Sequence, residues 1–294
     1  TIRAHDGNTF EVAKGAPQVI LDLCPLSNAN RTGAEKKVDE FASRGFRTLG
    51  VARKKQGGDW DLLGIIPLYD PPREDSADVI QRAREHGITV KMVTGDNVAI
   101  ARETSRQLGL QTNVVRADEV FPDGGDSGST PERDERIEQA DGFAQVYPEH
   151  KYEIVRALQR RGHLVGMTGD GVNDAPALKQ ADVGIAVSGA TNAAQAAASL
   201  VLTAPGLGVI IKAVEEARRI FERMTSYATY RITETIRLML FVALAMMAFN
   251  FYPITTVMVI LLALLNDLPI LTIAYDRTGL DKRPVRWNMR RVLT

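Results

Sequence analysis

One cysteine, Cys24, stands in a chain of 294 residues. A lone thiol excludes an internal disulfide framework and a Cys-based zinc site, and it fits a reducing compartment. As a small hydrophobe its expected place is a core. Charge of one sign is also lacking: 36 basic side chains face 36 acidic ones, so the overall balance points neither to nucleic acid nor to an acidic substrate. Aromatic residues are sparse. The chain opens without methionine and without a signal-like segment, on what reads as the middle of a domain, and the expectation is a piece of a longer protein.

The apolar residues are unevenly spread. Residues 238–251 read LMLFVALAMMAFNF, and residues 253–275 read PITTVMVILLALLNDLPILTIAY with a single formal charge. The second run has 23 residues, about 34 Å as a helix and enough to cross a bilayer core. The first reaches a similar length when begun at residue 230. Two spans are therefore expected, over 230–251 and 253–275, joined by a turn so short that they must form an antiparallel hairpin in the lipid bilayer. Basic residues crowd both outer flanks: Arg218, Arg219, Arg223 and Arg231 before, and Arg277, Lys282, Arg283, Arg286, Arg290 and Arg291 after. The positive-inside tendency puts these flanks, with a loop at 276–294, in the cytoplasm. A buried hairpin of a soluble protein is the alternative, but soluble cores seldom carry apolar runs of this length. Ahead of the spans, IIKAVEEARRIFERMTSY reads as an amphipathic helix, expected to be a stalk over 206–229.

Further upstream the pattern is alternating α/β. GITVKMVTG and GHLVGMTG read as short apolar strands bounded by glycine, each followed by a helical stretch, NVAIARETSRQLGL and DAPALKQA. PEHKYEIVRALQRRG reads as an amphipathic helix before the second strand, so a doubly wound, Rossmann-like parallel sheet is expected. In such sheets chemistry collects at the carboxyl ends of the strands. Both strands end in Thr-Gly-Asp, which would bring Asp96, Asp170 and Asp174 toward one crevice. Gly169 and Gly171 would let the backbone turn sharply beside a phosphate. Carboxylates next to a phosphate make sense when a hard cation lies between them, and Mg²⁺ takes oxygen ligands of this kind. A single Thr-Gly-Asp is as readily structural, an N-cap after a turn glycine. Residues 111–141, with GGDSGSTPERDER, read as a long polar loop or partly disordered excursion.

The longer string TGDGVNDAPALKQADVGIA resembles the hinge motif of P-type ATPases nearly letter for letter. Other motifs follow in that family's order: KGAP at 14–17, DPPR at 70–73, TGD at 94–96 and PEHK ending at Lys151. The resemblance implies ATP as substrate and Mg²⁺ as cofactor, with a haloacid dehalogenase-like phosphorylation domain at 70–205 following the end of an α+β nucleotide-binding domain at 1–69. It implies that Lys14 lines the ATP pocket and that Arg47, in GFRTLGVA, contacts the nucleotide phosphates. Asp70 and Arg73 would form the hinge between the two domains, where adjacent prolines favour a stiff connector. Thr94, Gly95 and Asp96 would form the phosphate-side loop, and Lys151 would neutralise the transferring phosphoryl group. Asp170 would ligate Mg²⁺, with Asn173 supporting and Asp174 supporting or ligating.

The family's nucleophile lies in a DKTGT motif and its dephosphorylation loop carries TGES; neither string occurs here. The chain therefore resembles the C-terminal part of such an ATPase and is not expected to turn over alone. The remaining transmembrane helices and an actuator domain are its implied partners. The strand carrying the nucleophile would lie between those ending at Gly95 and Gly169, which should consequently not pair with each other.

For the transported ion, the informative residues are ionisable groups inside the spans. Asp267 stands 14 positions past Pro253 and Arg237 stands 16 before it, about 21 and 24 Å along their helices, so the two are expected to meet at one depth. A lone arginine beside a lone aspartate suits a carboxyl that binds and releases a proton. The pattern resembles the plasma-membrane proton-pump branch, and localisation in the cell membrane follows from that likeness. Glu234 is expected either to pair with Arg237 or to serve as a second ion ligand. Pro269 is expected to break the second span near Asp267. A magnesium or other cation pump, or a membrane-anchored haloacid dehalogenase-type phosphatase, are the alternatives; ion flux separates the first, and KGAP with Asp267 argues against the second.

Overall fold

The computed structural model of the chain describes residues 2–3, 9–55, 57–122 and 130–279. Its contacts divide it into two units, Thr1–Gln81 with Thr89–Leu207, and Arg82–Ile88 with Gly208–Thr294.

The first unit begins with strands β1 (Ile2–Arg3) and β2 (Thr9–Gly15), helices α1 (Pro17–Leu23) and α2 (Asn28–Ser43), and strands β3 (Arg47–Lys55) and β4 (Trp60–Leu68). The strands pair antiparallel in the order β1-β2-β3-β4. One face is closed by α1, whose Ile20 and Cys24 pack with Ala52. That approach needs Gly50: a Cβ there would stand 2.8 Å from Ile20 Cβ. Cys24 is buried and free, as a lone small hydrophobe should be.

After β4 the chain runs through the Asp-Pro-Pro-Arg connector into α3 (Ser76–Glu85), then β5 (Met92–Val93), α4 (Val98–Gln107), β6 (Val114–Arg116), α5 (Ala117–Val120), α6 (Pro131–Gln139) and β7 (Gly142–Ala144). Next come α7 (Pro148–Arg160), β8 (Gly166–Gly169), a 3₁₀ turn (Val172–Asp174), α8 (Ala175–Gln180), β9 (Val183–Ala186), α9 (Asn192–Ala197) and β10 (Leu200–Val201). These strands are all parallel, but they form two sheets, β5-β7-β6 and β10-β9-β8. The strands that end in Thr-Gly-Asp, β5 and β8, are each the edge of their own sheet and do not pair, as the family resemblance implied. Pairing on one side only also explains why β5 holds two residues where the apolar pattern suggested nine.

Helix α7 serves both halves. Ile154 and Ala157 join the core of Phe143, Ile137 and Phe121, while Val155 packs with Ala177 and Ala181 of the α8 side. Fully burying a residue such as Phe143 or Ile137 contributes about 1.5–3 kcal/mol. The parallel sheets are thus tied through helix packing where no ladder joins them.

Residues 111–141 are not a polar loop. They hold β6, α5 and α6; the tip at 123–129 lies outside the described residues. Thr130 caps α6 by accepting from Arg133 N–H, Pro131 opens it, and Ile137 is fully buried. Asp134, buried, takes a two-pronged bond from Arg160 of α7, with Nε and NH2 each donating at 2.8 Å. Two inward positions suffice for a nine-residue helix, and a composition so polar conceals them.

The second unit contains α10 (Gly208–Phe249) and α11 (Thr256–Tyr275). Both are long and apolar enough to cross a membrane, with mean hydropathy of 1.8 and 2.3 in their best windows. The expected stalk and first span are one continuous helix, because no helix breaker interrupts residues 208–249. The chain reverses at Asn250, which takes a left-handed φ of 52°, and Thr255 caps α11 by accepting from Met258 N–H. Pro269 does not break α11, which continues to Tyr275. A proline inside a helix removes one donor, that to the Leu265 carbonyl, and the turns on both sides persist. Of the basic flanks, Lys282, Arg283, Arg286, Arg290 and Arg291 lie outside the described residues.

Candidate functional site

At the carboxyl end of β8 the chain turns through Gly169, Asp170 and Gly171 into the 3₁₀ turn, which folds Asp174 back under the loop. Asp174 is 5% exposed. Its Oδ1 accepts from Lys151 Nζ at 2.6 Å, and its Oδ2 accepts from the backbone N–H groups of Asp170 and Gly171, each at 3.2 Å. Burial pushes its carboxyl upward, but the lysine and the two N–H donors outweigh it and hold the group below its ordinary range. Gly169 makes this fold-back possible: a Cβ there would sit 2.6 Å from Asp174 Cβ. Lys151 reaches the site from the first turn of α7. That end is anchored by neighbouring His150, which is stacked on Phe121, accepts from Tyr147 N–H, and is kept toward its neutral form by burial.

The carboxylate of Asp170 is exposed and has no ion-pair or hydrogen-bond partner among the described residues, whereas both oxygens of Asp174 are engaged. Asp174 thereby shapes the loop that presents Asp170. Asn173 is exposed and its side chain makes no hydrogen bond. Among the described residues no group of three or more His, Cys, Asp or Glu could hold a metal. That fits Mg²⁺, which keeps several waters and is commonly held by one or two carboxylates plus phosphate oxygens.

A second cluster forms at the end of β5. Thr94 Oγ1 donates to Asp96 Oδ2 at 3.0 Å and accepts from Asp96 N–H at 3.1 Å. Arg47, from the start of β3, closes a two-pronged pair on the same carboxylate, Nε to Oδ1 at 2.7 Å and NH2 to Oδ2 at 2.8 Å. The bond to Asp96, aided by the charge of Asp70, holds the guanidinium pKa above its usual value despite some desolvation. The structure therefore joins Arg47 and Asp96, which the motif reading placed in separate roles. Gly95, between Thr94 and Asp96, is exposed. Lys14, on β2, is exposed and unpaired among the described residues. Arg73 lies near Gly206, its NH1 3.8 Å from where a Cβ there would be. No hydrogen bond or ion pair links the Arg47–Asp96 cluster to the Lys151–Asp174 cluster among the described residues. Asp182, further along the chain, accepts from Val165 N–H at 2.8 Å and secures the start of β8.

Within the second unit the polar residues of the hairpin do not arrange themselves as expected. Arg237 and Asp267 are both exposed, and no ion pair joins them. Neither side chain lies on the contact face of the two helices. That face carries Asn266 instead, 8% exposed and the one buried residue of α11. Tyr230 O–H donates to Asn266 Oδ1 at 3.3 Å, and Asn266 Nδ2 donates to Glu234 Oε1. Glu234 Oε2 accepts from Arg231 NH1 at 3.3 Å, so its partner is Arg231 rather than Arg237. Sequence reading passed over Tyr230 and Asn266, although spacing of three and four along α10 puts Tyr230 and Glu234 on one stripe.

Two split parallel sheets, a carboxylate on a glycine-bounded turn and a lysine on the preceding helix mark an α/β fold of the hydrolase kind. The chain belongs to the haloacid dehalogenase-like hydrolase family, whose pattern matches residues 5–182. It is 56% identical, over 97% of its length, to a Methanocaldococcus jannaschii protein named as a cation-transporting ATPase. It is also 47% identical to the plasma membrane ATPase of Kluyveromyces lactis and 46% identical to plasma membrane ATPase 1 of Saccharomyces cerevisiae, each over 99% of its length. The motif resemblance to P-type ATPases thus extends to nearly the whole chain. The chain spans about a third of the length of these relatives, 35%, 33% and 32% respectively. Together with the two apolar helices, these relatives mark a membrane protein.

Proposed function

We propose that the chain is the phosphoryl-handling and ion-path part of an ATP-driven cation pump of the cell membrane that exports protons through an aspartyl-phosphate cycle. The observation that carries this reading is α10, one unbroken helix that starts seven residues after the last strand of the hydrolase core and continues as an apolar span holding a carboxylate. Chemistry at the strand ends and a charge in the membrane are thereby properties of one polypeptide.

In this reading Lys14 and Arg47 bind ATP. Arg47 exchanges Asp96 for a nucleotide phosphate, a swap its planar fork suits. Asp170 holds Mg²⁺, which when bound neutralises phosphate charge. Lys151, held by Asp174, offers its ammonium to the transferring group as a preorganised point charge. The edges of β5 and β8 receive the strand that brings the phosphorylated aspartate. In the membrane, Asp267 takes up and gives up the proton; it faces away from α10 and toward the remaining helices of the pump, with the catalytic part and both outer flanks of the hairpin in the cytoplasm.

The test uses the intact pump in vesicles. Lys14→Ala and Arg47→Ala should weaken ATP binding and leave membrane insertion intact. Asp267→Asn should abolish acidification of the vesicle lumen while ATP still binds. Acidification at the parent's rate by Asp267→Asn would overturn the proton assignment, and undiminished ATP affinity in both arginine and lysine variants would overturn the pocket.

A further inference from the structure

Glu234 takes no part in the steps above, yet it is the carboxylate that the hairpin itself encloses. Its side chain is 15% exposed. Ionisable groups within spans are costly and are retained where they act. The polar and charged groups around it are these. On α10, Tyr230 lies one turn before, Arg231 bonds Oε2, and Tyr227 lies one further turn back beside Arg231. On α11, Asn266 bonds Oε1, and its neighbour Asp267 is exposed. Arg237, the next charge along α10, is exposed and unpaired.

We propose that Glu234 is a second proton-binding carboxylate of the hairpin, and that the Asn266 amide turns end for end when the proton arrives. The claim deepens the cation-pump reading and rests on it for the bilayer setting of α10 and α11.

The argument is one of donors and acceptors. Asn266 is buried, so its amide must be satisfied in either charge state of the glutamate. With Glu234 ionised, the hydrogen bonds run one way: Tyr230 O–H to Asn266 Oδ1, then Asn266 Nδ2–H to Glu234 Oε1. A protonated Oε1 becomes a donor and can no longer receive the amide N–H there. Rotating the amide by half a turn reverses the whole line: Glu234 O–H donates to Asn266 Oδ1, and Asn266 Nδ2–H donates to the Tyr230 oxygen. A hydroxyl can both donate and accept, which is why tyrosine at the end of the line permits both polarities. The only covalent change is gain or loss of the Oε1–H bond, with the proton drawn from or returned to water.

A metal ion is the less suitable occupant. The site offers one carboxylate already neutralised by Arg231 and one amide oxygen already engaged, while bare cations demand several free oxygens.

The experiment is an infrared titration of the chain in phosphatidylcholine vesicles. On acidification a protonated-carboxyl band should grow that Glu234→Gln removes and Asp267→Asn retains. Asn266→Ala, which deprives the carboxylate of a donor, should move its midpoint up by about one pH unit. Tyr230→Phe removes one bond from each state and should move it little. Glu234→Asp should keep a band at a shifted midpoint, which separates loss of the group from loss of fold. A titration unaltered by Glu234→Gln, or a midpoint indifferent to Asn266→Ala, overturns the proposal. Failure of Asp267→Asn to block acidification would overturn the proton assignment of Asp267 and leave the Glu234 titration standing; absence of ATP-driven ion flux in the parent would overturn the pump reading alone.

Discussion

Removing either member of the Lys151–Asp174 pair should cost far more than an exposed ion pair contributes, and removing both should cost less than the sum. Their side chains are 21% and 7% exposed, so each charge depends on the other for most of its solvation. Breaking a buried pair from one side typically costs about 3–5 kcal/mol. Lys151 keeps some water, which puts Asp174→Asn at the low end, about 3 kcal/mol. Lys151→Met leaves a carboxylate that still accepts two backbone N–H bonds, worth about 1.5–3 kcal/mol each when charged, so its cost should be nearer 2 kcal/mol. The double variant strands neither charge and should cost about 3 kcal/mol, a coupling near 2 kcal/mol. Urea unfolding of the detergent-solubilised chain, followed by far-UV circular dichroism, measures this through the midpoint and slope. Additivity to within about 0.5 kcal/mol would refute the coupling. The same pair sets a pH dependence. The Asp174 carboxyl gives up its proton more readily folded than unfolded. Its stabilisation is therefore complete above the unfolded value near about 3.9 and is lost as pH falls through the lower folded value. Asp174→Asn should flatten that acid limb.

Gly169→Ala should destabilise by about 1–3 kcal/mol, the usual cost of overpacking, since its methyl would meet Asp174 at 2.6 Å; Gly171→Ala, with nothing nearer than 3.7 Å, should be milder in the same thermal melts. Gly50→Ala drives a methyl into Ile20 and should lift α1 from its sheet, seen as faster hydrogen exchange in α1 and unchanged exchange in α7. Arg160→Met strands buried Asp134 and should cost about 3 kcal/mol in urea unfolding; a neutral outcome would mean that α6 is not held as described.

The sequence alone was enough for the parallel strands with carboxylates at their ends, the amphipathic helix bearing Lys151 and the two apolar spans. Each is written locally, in period, glycine placement and run length. The separation of β5 from β8 also followed from the motif order. Tertiary structure decided what local pattern cannot express. Asp174 clamps the loop because its two oxygens meet Lys151 and two N–H groups only after Gly169 lets the chain fold back. Arg47 found Asp96 across 49 positions, a distance along the chain over which no periodicity carries information. Asp134 was hidden in a polar stretch because one buried bond to Arg160 outweighs its composition. In the hairpin, counting residues along each helix says nothing of azimuth. The packing of two helices depends on which stripe each turns inward, and that choice put Asn266 and Glu234 in contact and left Asp267 and Arg237 outside.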